Sequence, residues 1–66
     1  MTSLGEQFPI EQERVREVLR QYEAIGPSGQ FGALFIRQTL KRADQAAISG
    51  DVVEMIRVFQ EMKEIE

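Results

Sequence analysis

Neither cysteine nor histidine occurs among the 66 residues, tryptophan is absent and tyrosine appears once. The missing cysteines exclude thiol catalysis, thiolate-ligated zinc and iron–sulfur clusters. Without histidine as well, the ordinary Ser–His and Cys–His nucleophile pairs cannot be assembled. No disulfide staples the chain, and a single core of this size contributes only about 3–5 kcal/mol. Self-association is the simplest remaining aid to stability. Long apolar runs are lacking too, so no membrane-spanning segment is expected. The opening MTSLGEQFP has neither the basic nor the apolar stretch of a secretory leader, and a cytoplasmic location is expected. Basic residues are in deficit, eight against eleven acids, for a net charge of −3. That balance disfavours sequence-independent binding to polyphosphate.

What remains is helical patterning in one domain. Residues 1–8 read as a flexible N-terminal arm with Leu4 and Phe8 as anchors. Ser3 and Glu6 have capping-box spacing, but Gly5 and Pro9 argue against a helix there, and Pro9 suits the first position of the next element. From Pro9 to Ile25, Val15, Val18, Leu19, Tyr22 and Ile25 recur on one helical face. Gly26-Pro27 then stops the helix. A second helix is expected from Gly29 or Gln30 to Ser49, with Ser28 as N-cap and Gly32, Ala33, Ile36, Leu40, Ala43 and Ala47 as its apolar stripe. Phe31, Leu34 and Phe35 add apolar surface outside that stripe, so this end of the helix is greasy nearly all round.

SGDVVEM is the clearest local signal. Gly50 stops one helix, Asp51 caps the next and Glu54 stands at the reciprocal capping position. The third helix, Val52 to Ile65, carries two apolar seams: Val52, Ile56 and Phe59 on one, Met55, Val58, Met62 and Ile65 on the other. The expectation is that the first seam faces the chain's own core and the second faces a partner chain. The fold class is therefore all-α, residues 9–66 forming a small self-associating three-helix bundle joined by short connections.

The stretch IGPSGQFGALF spaces glycines at 26, 29 and 32. A Walker phosphate loop needs a preceding strand and a Gly-Lys-Ser/Thr ending, and a dinucleotide fingerprint also needs the strand. Neither is here. IGPSGQF resembles the Ile-Gly-x-x-Gly loop of KH nucleic-acid binders, which implies clamping of a nucleotide backbone between Gly26 and Gly29. Its variable positions, Pro27 and Ser28, are uncharged, and the chain has no room for that family's sheet. Helix stop, permissive loop residue and close-packing position account for the three glycines without a ligand. Ala46-x-x-x-Gly50 followed by Ile56 is similar to the spacing of a helix-turn-helix, but the would-be reading helix carries Glu54 and Glu61, which repel phosphates.

Arg37, Lys41 and Arg42 make the second helix locally basic, whereas the chain from Asp51 onward holds five acids against two bases. Charge complementarity between helix edges explains this; phosphate contact through the same three residues, with the Gly26–Gly29 loop, is the alternative. No residues suggest a cofactor, a metal or a catalytic constellation.

The joint Glu-x-Ile-Gly-Pro-x-Gly, the Arg-Ala-Asp of the second helix and the Ser-Gly-Asp-Val turn leading into Met-Ile resemble short, uncharacterised proteins encoded in bacteriophage or prophage regions of proteobacteria. The resemblance implies no activity, substrate or site, and favours an accessory protein acting through protein contacts. The expectation is a non-enzymatic interaction or assembly module, a homodimer or the binder of another protein. Its contact surface is expected to comprise Phe31, Leu34, Phe35, Met55, Val58, Met62 and Ile65.

Overall fold

The computed structural model describes residues 3–66 as three helices, each packed against the other two. Helix α1 spans Leu4–Ile25, α2 Gln30–Ser49 and α3 Val52–Lys63; a single 3-10 turn, Pro27–Gly29, joins α1 to α2. No strand occurs among the described residues. The all-α three-helix bundle is thus the architecture.

Residues 4–8 of the expected arm are instead the opening turn and a half of α1; Met1 and Thr2 lie outside the described residues. Ser3 is the N-cap, its Oγ accepting from the Glu6 amide at 3.2 Å. Pro9 sits inside the helix, where a proline removes one backbone bond and costs about 3 kcal/mol. Phe8 offsets that cost. Its ring is 2% exposed and stacks on Phe59 with centroids 6.3 Å apart, so extending the helix gains an aromatic core residue. Behind it, Val15 and Val18 are buried and Leu19 and Tyr22 partly so, whereas Ile25 is exposed rather than part of the face.

The joint is built on close approach. Gly26 has φ +93°, a conformation open to glycine but rarely to other residues. Gly29 has an ordinary φ, yet a Cβ there would stand 2.2 Å from the Tyr22 carbonyl oxygen. Gly32 faces the Tyr22 ring, which a Cβ would approach to 2.5 Å. Ser28 lies within the 3-10 turn and does not cap α2; the capping position falls to Gly29, which has no side chain to offer.

Helix α2 runs as expected to Ser49 and buries Ala33, Ile36, Thr39, Leu40, Ala43 and Ala46. The last small residue on the buried face is Ala46, and Ala47 is exposed. Thr39 is accommodated because its hydroxyl donates to the Phe35 carbonyl at 3.1 Å. Gly50 adopts φ +71° and returns its N–H to Ala46, closing the helix. Asp51 then caps α3, accepting from the Glu54 amide at 3.1 Å. The reciprocal half of the box is absent: the Asp51 amide donates to the Ala46 carbonyl, and Glu54 turns its carboxylate to Arg42 and Arg57. After Lys63 the chain leaves the helix, and Ile65 folds back into the core.

Candidate functional site

The seams of α3 are placed opposite to expectation. Val58 and Met62 are fully buried and Ile65 nearly so, with Met55 packed partly against the same core. These four residues hold the chain together and do not form an outer contact face. Val52 and Ile56 from the other seam are exposed, together with Val53. Phe59 is exposed only in part, sheltered by Phe8 and by the Lys63 ammonium 5.2 Å from its ring centroid. The flexible thioether of Met62 fills the irregular space between the helices beside β-branched Val58 and Ile65, with Met55 at its edge. Because Phe8 is also in the core, the inner seam has more to cover than a shorter α1 would present.

The α2 part of the expected surface is where it was placed. Phe31 is 89% exposed, Leu34 52% and Phe35 56%. Their outward position follows from the joint: Gly32 seats the Tyr22 ring of α1 against α2, and Ala33 and Ile36 bury the same side of the helix. Residues 31, 34 and 35 are left with nowhere to turn but solvent. Phe31 separates two shallow grooves. One, about 390 Å³, is lined by Phe31, Gly32, Leu34, Phe35 and Gln38. The other, about 370 Å³, is lined by Gln30, Phe31, Leu34 and Arg37. The first recess is walled mainly by apolar side chains and the second in half by the polar Gln30 and Arg37; the aromatic projects between them as a knob does between holes. At the far end of α2, Ile48 is 86% exposed and leads through the Gly50 turn to exposed Val52 and Val53. Val52 is expected on the inner seam and is exposed instead, and Ile48 and Val53 were missed. For Ile48 the signal existed in the alternating three- and four-residue spacing from Phe31 and Leu34.

Two of the three basic residues of α2, Arg37 and Arg42, are engaged inside the chain. Arg42 forks onto Glu61 with two bonds of 2.8 Å and reaches Glu54 at 2.9 Å. Hydrogen bonding to Glu61, then to Glu54, raises the already high pKa of the Arg42 guanidinium, and the bond from Arg42 holds the Glu61 carboxyl below the usual carboxylate range. Arg37 donates to Glu23 at 2.8 Å, and Lys41 takes part in none of the ion pairs among the described residues. The Gly26–Gly29 loop has few amides to offer a phosphate. Pro27 has none, and those of Gly26, Gly29 and Gln30 donate to the carbonyls of Glu23, Gly26 and Pro27. Among the described residues no acidic cluster is grouped to hold a metal ion, and no helix is long and apolar enough to cross a membrane.

Compared with family models, curated proteins and solved structures, the chain matches none. The functional reading therefore rests on this surface.

Proposed function

We propose that the chain is a non-enzymatic protein-interaction module that assembles through the outward face of α2, a second copy of itself being the first partner. The observation that carries the reading is Phe31. A phenylalanine 89% exposed beside two half-exposed apolar neighbours is water-accessible surface that the fold itself does nothing to cover. At about 200 Å² per phenylalanine side chain, Phe31 and Phe35 together leave roughly 290 Å² of ring surface in water. Covering it on both copies of a dimer yields about 14 kcal/mol at 25 cal/mol per Å², before the entropy of association is subtracted. An interface of that scale belongs to the small, weak class, and a micromolar dissociation constant is expected.

Sedimentation equilibrium tests the reading. The native protein is expected to form dimers in the high-micromolar range, and Phe31→Glu to remain monomeric with unchanged helicity. A native protein that stays monomeric throughout that range overturns the proposal.

A further inference from the structure

Six residues of α2, Phe31, Leu34, Gln38, Lys41, Gln45 and Ile48, are all exposed and follow one another at alternating steps of three and four. That spacing is the seam of a two-helix coiled coil, apolar at its ends and polar in the middle. The seam runs about 26 Å along the helix, from Phe31 to Ile48. Its flanks carry charge asymmetrically. Arg37 and Asp44, both exposed, border one side; Phe35 and Arg42 border the other.

We infer that two copies pair through this seam antiparallel and in full register, Phe31 of each copy lying over the partner's Ile48. The inference rests on the interaction reading above and specifies its geometry. In this register Leu34 covers the aliphatic stem of the partner's Gln45, and Gln38 meets the partner's Lys41 at the two-fold axis, where long stems pack while their polar ends reach water. Arg37 then borders the partner's Asp44 twice, by symmetry. The intramolecular partners of both leave capacity for this. Arg37 donates one Nη to Glu23, and Asp44 accepts from Gln12 through one oxygen, with Arg16 3.9 Å from that oxygen. A parallel pair would instead bring Arg37 toward the partner's Arg42 and set Lys41 against its own copy, so charge selects the antiparallel arrangement. A shifted antiparallel pair sharing only the Phe31 ends would leave both Ile48 side chains in water and forgo the Arg37–Asp44 contacts.

The absence of cysteine makes a single introduced thiol a unique labelling site. Ser28→Cys, at an exposed position in the 3-10 turn just before α2, carries a spin label outside the six seam residues. Double electron–electron resonance on the dimer is expected to give about 35 Å between labels in the full antiparallel register, against under about 20 Å in the parallel or shifted arrangement. A short distance refutes the register while leaving self-association intact; a protein without a dimer by sedimentation refutes both. Charge exchange gives the independent arm. Arg37→Asp is expected to weaken the dimer about tenfold, and Arg37→Asp with Asp44→Arg to recover it, helicity and melting being followed for each. A double exchange that fails to recover affinity while remaining folded also refutes the register.

Discussion

Replacing Phe8 by alanine asks whether the first two turns of α1 belong to the core. The ring is 2% exposed and lies 6.3 Å, centroid to centroid, from Phe59 in a stacked arrangement. Truncating a buried phenylalanine to alanine costs about 3–5 kcal/mol, the lost transfer energy plus the cavity left behind. A single core of this size contributes about the same amount in total. Phe8→Ala is therefore expected to lose most of its cooperative unfolding transition and to be substantially unfolded without denaturant. Ile10→Ala is the matched control. It lies in the same helix, swaps a residue of similar helix propensity for alanine, and removes a side chain that is 62% exposed. Its effect should stay within about 0.5 kcal/mol. Urea titrations followed by far-ultraviolet circular dichroism make the comparison, at concentrations low enough that association adds nothing. If Phe8→Ala destabilises no more than Ile10→Ala, the claim that this segment completes the core is refuted.

Gly29→Ala is expected to lower the melting temperature by the equivalent of about 1–3 kcal/mol, because its Cβ meets the Tyr22 backbone oxygen, which cannot swing aside. Gly32→Ala meets only the Tyr22 ring and should cost less; equal losses in a thermal melt would contradict the distinction. Met62→Glu places a charge in a fully buried position and is expected to unfold the protein outright by circular dichroism, not to yield a folded monomer. The carboxyl of Glu61 is held below its ordinary range by Arg42, so the stability it contributes is full above the unfolded-state pKa and is lost as pH falls through the folded value. Glu61→Gln should flatten the acid side of the stability profile; an unchanged profile would show that the ion pair contributes nothing there.

Much of the fold was legible because it is written in local chemistry. Gly50, Asp51 and the amide of Glu54 make one turn whose parts are adjacent in the chain, and α2 ends at Ser49 for that reason. What was misread depends on long-range packing. Gly5 and Pro9 locally disfavour helix, and only the burial of Phe8 against Phe59, far along the chain, overrides them. The two seams of α3 are both apolar, so periodicity alone could not decide which turns inward; the volume between three helices did, in favour of Met62 and Val58. Phe31, Leu34 and Phe35 were readable as surplus because they lie outside the stripe of Ala33 and Ile36. Ile48 escaped because polar Gln38, Lys41 and Gln45 stand between it and the other apolar members of its stripe.

The most direct test of the central claim is the concentration dependence of the amide chemical shifts of the native protein by nuclear magnetic resonance. On dilution through the micromolar range, the resonances of Phe31, Leu34, Lys41, Gln45 and Ile48 are expected to move together along one binding isotherm, while those of Glu13 and Glu17 on the exposed surface of α1 stay still. Shifts that do not change with concentration, or that move only on α1, would contradict an account in which the outward stripe of α2 is the contact face.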